Sequence, residues 1–212
     1  MLHIMPRIGK ERKSQRRQQI LEAAWRCVGR MGYRDMTVDD VCAEAKLSKG
    51  AFYGYFAQKR DLLIALFEDD AQRLDDLMDE LEGSVSGHRE RLRLYTQAAL
   101  KRSSDSARVQ VRADMWTAML TEEGIRAAFA ANMQSRRARL RSWVENAMAA
   151  EELVDIPANA FASILLALSD GLLLHGSLDP NGFRWVNISK AFDVMLDAIS
   201  RSRVLDDSRS DL

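Results

Sequence analysis

A chain of 212 residues with 31 Lys/Arg against 31 Asp/Glu, 47% apolar residues and only 3 prolines has the composition of a folded globular protein; it excludes a disordered, collagenous or disulfide-stapled chain. Its two cysteines, Cys27 and Cys42, show neither metal spacing nor a disulfide framework and read as small buried apolar residues in a reducing cytoplasm. The zero formal charge hides an asymmetry, since residues 7–60 carry 13 Lys/Arg and 6 Asp/Glu whereas residues 61–212 carry 18 and 25. A polyanion partner for the front of the chain explains this, with an uneven solvated surface as the alternative.

The chain opens with Pro6 and a basic run, not with the apolar core and cleavage site of a signal peptide. The stretch "RIGKERKSQRR", residues 7–17, has six basic residues and one Glu. It reads as a flexible basic arm, either solvated or entering a DNA minor groove. Residues 14–31 then place Ile20, Leu21, Ala24, Cys27, Val28 and Met31 on one helical face, with Gly32 as a stop. Thr37 is an N-cap for "VDDVCAEA", with Asp40 in a capping-box position and Asp39 near the positive helix end. That helix ends near Ala45, Lys46 and Leu47 make a tight connection, and Ser48 caps a third helix through about Tyr55. Helix, short turn, helix is the spacing of a helix-turn-helix, whose second helix enters the major groove.

The third helix suits that task. Phe52 and Phe56, at i and i+4, can anchor one face in the core. Lys49, Gly50, Tyr53 and Gly54 lie around the rest. Gly50 and Ala51 lack bulk and allow close backbone approach. Lys49 can donate to guanine or phosphate, and Tyr53 and Tyr55 can donate to phosphate oxygens or stand as half-buried props.

With these residues in place, "TVDDVCAEAKLSKGAFYGYFAQKRDLLIALF" resembles the DNA-binding region of the TetR/AcrR family of bacterial transcriptional regulators. The resemblance is carried by Thr37, Ala43, Ser48, Gly50, Tyr53, Phe56, Lys59, Leu62 and Leu63 together and covers about residues 14–67. It implies that Thr37 and Lys59 hold phosphates, and that Lys49, Gly50, Tyr53 and Tyr55 lie on the DNA face. The residue matching Tyr55 is often His in the family. Val38 is apolar where some members place a base-reading side chain.

Beyond residue 60 a long amphipathic helix, with Leu63, Phe67, Leu74, Leu77, Met78 and Leu81 near one face, runs out of the DNA-binding region. The loop "GSVSG", residues 83–87, is a turn and not a nucleophile elbow, because Val85 stands where Ser is required. Further helices are expected at about 88–103, 106–120, 122–150, 157–178 and 183–203, with Gly124, Pro157 and "LDPNGF" as breaks and a frayed tail from Asp206. His3, His88 and His175 are scattered, and no Gly-rich phosphate loop, HExxH or CxxC occurs. No enzyme activity, cofactor or metal is expected.

The segment 158–178 is nearly long enough to span a membrane. Asp170 at its centre costs about 2.5–3.5 kcal/mol on insertion scales, which favours burial between protein surfaces over lipid. It resembles the penultimate helix of the same family, which pairs with the last helix and a second subunit in a four-helix bundle. Ile164, Leu168 and Leu172 are apolar around much of it, Ala167, Gly171 and Gly176 allow close approach, and Ile188, Phe192, Met195 and Ile199 form a stripe on the last helix.

The middle helices hold large adaptable groups, and Tyr95, Trp116, Met119, Phe129, Met133, Trp143 and His175 are the candidates for an apolar effector site, solid core being the alternative for each. Arg136, Arg137, Arg139 and Arg141 read as a solvated helix face, with an anionic ligand as the alternative. The expected architecture is all-α. Residues 1–58 form a basic arm and three-helix helix-turn-helix domain, and residues 59–212 a larger helical ligand-binding and dimerisation domain. The DNA-binding set is Thr37, Ser48, Lys49, Gly50, Ala51, Tyr53, Gly54, Tyr55 and Lys59. The expected function is a cytoplasmic homodimeric repressor that binds a palindromic double-stranded operator, is released by a small, largely apolar effector, and has no membrane partner. The alternative is a constitutive or architectural DNA-binding protein.

Overall fold

The first helix is longer than its apolar repeat suggests. In a computed structural model, which describes residues 7–179 and 181–201, α1 runs Arg7–Asp35. The basic stretch 7–17 is therefore helical, since Lys, Arg, Gln and Glu are good helix formers and the basic residues extend the helix past its buried face. Gly32 sits in the left-handed region at φ 80°, a kink that L-residues resist, and a Cβ there would meet Gln110 Oε1 at 2.5 Å.

The remaining helices are α2 Val38–Ala45, α3 Lys49–Tyr53, α4 Lys59–Ser84, α5 His88–Ser103, α6 Ser106–Thr121, α7 Glu123–Ala149, α8 Ala158–Leu178 and α9 Trp185–Ala198. Among the described residues there is no strand beyond an isolated bridge between Leu153 and Ser200. That bridge explains why α9 stops short of the expected residue 203. Val154 donates to Ile199 O and Arg201 donates to Glu152 O, so the backbone after Ala198 pairs with the 152–154 turn instead of continuing as helix. Gly124 lies inside the first turn of α7 and does not break it. The tail from Asp206 lies outside the described residues.

The chain forms two compact units. One holds the chain up to Arg73 together with Ser106–Glu122, and the other holds Leu74–Asp105 and the chain from Glu123. The units thus divide inside α4, with α6 returned to the first unit, whereas the division at residue 58 separates segments by their expected task.

The first unit is built on α1, which packs on α2 and on α6. Ile20, Leu21, Ala24, Cys27 and Val28 are buried on its apolar face, as are Met36, Val41, Phe52, Leu62 and Leu66. Burial pushes both the Cys27 and Cys42 thiols up from their ordinary value. Beneath α1 lies a buried charge. Asp70 of α4 is 2% exposed and is held by Arg108 and, at 3.4 Å, by Arg112, both of α6. The Arg108 guanidinium also lies 5.2 Å from the ring centre of Trp25, whose indole N–H donates to Asp69 at 2.9 Å. One cluster of charge and ring therefore ties α1, α4 and α6.

The second unit closes around Leu92, Tyr95, Leu140, Trp143, Val144, Leu153, Leu166 and Leu196. The α7 arginines form a solvated face only in part: Arg141 is exposed beside Glu145, whereas Arg136 and Arg139 are held by carboxylates of α4. Arg136 is buried and donates twice to Asp75 at 3.0 and 3.1 Å. Arg139 donates to Asp79 at 2.7 Å and to Glu82 at 3.2 Å. Trp143 adds an N–H to Glu82 at 2.9 Å, so residues 75–82 of α4 and 136–143 of α7 are joined by a ladder of polar contacts. By length and composition α8 is apolar enough to cross a membrane; here it packs on α5 and α7.

Candidate nucleic-acid interface

The local sequence builds the interface through its caps. Thr37 is extended and its hydroxyl oxygen accepts from Asp40 N at 3.2 Å, while Asp40 accepts from Thr37 N at 2.8 Å. This reciprocal capping box satisfies donors that the start of a helix leaves open. The hydroxyl and backbone hydrogen bonds from Thr37 hold the Asp40 carboxyl below its ordinary value of 3.8. Lys46 ends α2 in the left-handed region at φ 54°, where its N–H reaches Ala43 O. Leu47 N then bonds Cys42 O at 2.9 Å. The turn is two backbone bonds wide, and Ser48 closes it by accepting from Ala51 N at 3.2 Å. Of the set read from sequence, Ser48 is thus a cap.

The helix α3 buries one side only. Phe52 is fully buried and meets Phe56 at 5.6 Å and the edge of Tyr53 at 5.5 Å between ring centres. Lys49, Gly50, Tyr53 and Gly54 are exposed, and Ala51 and Tyr55 half-buried. The two glycines differ. A Cβ on Gly54 would press on Ala51 O at 3.3 Å, so packing explains that glycine. A Cβ on Gly50 would meet only Ser48 Oγ, at 3.9 Å. Packing within the unit does not require Gly50.

Both lysines are engaged. Lys49 Nζ lies 2.8 Å from Asp39 Oδ1 with both side chains exposed. Hydrogen bonding to Asp39, then its charge, raise the Lys49 pKa. Lys59 Nζ donates to Arg34 O at 3.0 Å and sits 4.5 Å over the Tyr33 ring, while the Tyr33 hydroxyl donates back to Lys59 O. Burial of this ammonium lowers its pKa from the ordinary 10.5, against the opposite pull of Asp114, Asp35 and Asp40. The start of α4 is therefore pinned to the end of α1, with two of the three ammonium donors still to place. On its other edge α2 is held by Arg26 and Arg30, which grip Glu44 at 2.6 and 2.8 Å.

Part of the basic stretch 7–17, expected as a solvated or DNA-entering arm, lines a concavity whose other wall the sequence does not give. Arg12, Lys13, Gln15, Arg16 and Gln19 of α1 line a concavity of about 830 Å3 together with Tyr55. The basic count of the segment was visible, but its meeting with Tyr55 is tertiary.

The effector candidates divide between the two units. Trp116, 41% exposed, and buried Met119 belong to the first unit. Tyr95 and Trp143 are buried in the second, edge to face at 6.0 Å. Phe129 and Met133 are half-buried on α7. His175 is exposed and stacks on Phe183 at 6.3 Å. Neither unit by itself gathers the seven.

This arrangement has relatives. The family model "Bacterial regulatory proteins, tetR family" matches residues 20–66, and "BetI-type transcriptional repressor, C-terminal" matches residues 88–201. The chain belongs to the TetR family. It is 37% identical over 76 residues to the transcriptional repressor AcnR of Corynebacterium diphtheriae, a match covering 36% of this chain and 40% of that one. It is 26% identical over 206 residues to the transcriptional regulator BetI of Vibrio vulnificus, covering 93% of this chain and 96% of that one. A transcriptional regulator from Saccharomonospora viridis solved in complex with choline has the same fold, with a TM-score of 0.73 at 21% identity over 88% of this chain and 98% of that one. As a TetR-family member the chain is a DNA-binding transcriptional regulator and not an enzyme.

The capping box makes a prediction of its own. A carboxyl whose folded pKa is depressed contributes stability above its unfolded value and loses it as the pH falls through the folded one. Thr37→Ala is expected to cost about 1 kcal/mol at neutral pH. The gap between the urea midpoints of wild type and variant is expected to narrow as the pH falls below 3.8, the ordinary value for Asp40.

Proposed function

We propose that this regulator is a homodimeric repressor that grips a palindromic operator through α3 and is released by a small effector. The observation that carries the dimer is the outer surface of α8 and α9. Ile164, Leu178 and Val194 are 57%, 75% and 68% exposed, and Leu174, Val186 and Met195 are also exposed. Apolar residues of this size on two neighbouring stretches of chain mark a surface meant to be covered. The stripe expected on α9 divides: Phe192 is buried and Ile188 and Ile199 pack against the core, while Met195 points out beside Val194. A second copy covering this face would also give the two-fold symmetry of a palindromic site.

In this reading Lys49 leaves Asp39 to reach a base edge, Tyr53 and Tyr55 meet phosphates, and Gly50, Ala51 and Gly54 let the backbone come close. Thr37 and Lys59 hold phosphates on either side. Half-sites roughly 34–36 Å apart demand one separation of the recognition helices. An effector that favours another separation weakens binding by its differential affinity, commonly about 1–3 kcal/mol. The chain passes between the two units after Arg73, Asp105 and Glu122, so α4 and α6 supply the covalent routes for that coupling. Choline, present in the structure of the Saccharomonospora viridis regulator of the same fold, supports a small-molecule effector and is the first compound to test. The closed packing of Tyr95 against Trp143 favours the second reading, a constitutive DNA-binding protein. A role on operator DNA supports a cytoplasmic location.

Lys49→Ala is expected to relax specificity at one operator position by about 1–3 kcal/mol. Lys59→Ala is expected to weaken all sequences alike and reduce the magnitude of the log K against log salt slope by about 0.9. Unchanged binding of both variants in a filter assay would remove the assigned DNA face. Val194→Asp is expected to give a folded monomer in sedimentation at micromolar concentration, because a charge in an apolar interface loses its water. A Val194→Asp dimer as stable as wild type would contradict this interface. Choline and a panel of apolar metabolites, titrated into the protein–operator complex, are expected to release DNA for at least one compound. Indifference to all of them, with no change in tryptophan fluorescence, favours the constitutive reading.

A further inference from the structure

The concavity between α1 and Tyr55 is a second basic surface beside the recognition helix. Its six lining residues are Arg12, Lys13, Gln15, Arg16, Gln19 and Tyr55, and none is acidic. Each carries N–H or O–H donors. The α1 residues fall at i, i+1, i+3, i+4 and i+7, one face of the helix. From Arg12 to Gln19 that face is about 10 Å long at 1.5 Å per residue.

One of the cations is held in place. Gln19 Nε2 donates to Ala45 O at the end of α2, at 2.8 Å. Its Oε1 accepts from Arg16 NH1, also at 2.8 Å. The amide of Gln19 thus fixes a guanidinium at the concavity while tying α1 to α2. Next along the helix, Arg17 turns away: its guanidinium lies 5.7 Å from the Phe56 ring centre, and it approaches Glu68 at 3.7 Å. Arg12, Lys13 and Arg16 are left exposed toward the open side.

We infer that this concavity binds sugar–phosphate backbone of the operator duplex outside the base pairs reached by Lys49. Phosphate oxygens only accept, and a surface with three cationic side chains, no acidic one and a donor on every lining residue matches them. Tyr55 lies beyond the last residue of α3, whereas the leading end of a recognition helix reads bases. Phosphates reached from Tyr55 and α1 therefore flank the read base pairs. The 10 Å face is long enough for more than one phosphate at about 3.4 Å of axial rise per nucleotide. The contacts add affinity without reading sequence. This rests on the proposed placement of α3 on DNA.

The test uses the full-length protein and the operator duplex it selects from genomic fragments. One form of the duplex is cut blunt at the outermost base pair protected by the protein's recognition helices, and the other is extended by about one helical turn (~10 base pairs) on each side. The variants are the triple Arg12→Gln, Lys13→Gln and Arg16→Gln, which keeps helix-forming residues at exposed positions, and Tyr55→Phe, which removes only a hydroxyl. On the extended duplex the triple variant is expected to lower the magnitude of the salt slope by about 0.9 for each phosphate released, and Tyr55→Phe to weaken binding in the same flank-dependent way. On the blunt duplex both variants are expected to match wild type. A triple variant that loses the same factor on both duplexes, or nothing on the extended one, overturns the inference. Lys49→Ala serves as reference: if it is silent on both duplexes the α3 reading fails by itself, whatever the flanks show.

Discussion

Asp70 is a carboxylate with almost no access to water, and the first unit is arranged around the need to neutralise it. A buried charge left without a partner costs several kcal/mol, so two guanidiniums converge on it from α6, one turn apart at Arg108 and Arg112. One of these also lies over Trp25 of α1, and Trp25 in turn bonds Asp69, the residue before Asp70. The register of α4 against α6, and of α1 over both, follows from that cluster more strictly than from apolar contacts, which tolerate sliding. It also explains why a helix separated in sequence from the helix-turn-helix, α6, belongs to the same compact unit.

With α1 fixed in this way, the helix-turn-helix is hung from it by polar hooks along its length. Gln19 holds the end of α2, Arg26 and Arg30 hold Glu44, and Tyr33 with the Arg34 carbonyl holds the start of α4. These contacts leave α3 with one buried aromatic face and nothing covering the other. A five-residue helix has little stability of its own. Its geometry comes from the Ser48 cap, the Phe52 anchor and the α1 spine, so its exposed surface is set by the fold itself.

Much of this was legible in the sequence because it is local. The caps at Thr37 and Ser48, the tight connection at Lys46 and Leu47, the Phe52–Phe56 anchor and most helix limits follow from residue type and spacing alone. What escaped depends on partners distant in the chain. The end of α9 is set by pairing with 152–154, and the burial of Arg136 by Asp75 across α4. Phe192 and Val194 differ by two positions on an apolar helix, and only packing decides that the first faces the core. Size and softness are shared by core and pocket residues, and only packing shows that Tyr95 and Trp143 lie in the core. The basic run of α1 was visible as charge, but its function as one wall of a concavity required the meeting with Tyr55.

The central claim is that two copies of this chain place paired α3 helices on one duplex. Hydroxyl-radical footprinting of the wild-type protein on its selected operator tests it most directly. Two protected patches are predicted on one face of the duplex, related by a two-fold axis and roughly 34–36 Å, about one helical turn, apart. A single protected patch, or protection spread evenly along the fragment without symmetry, contradicts the account.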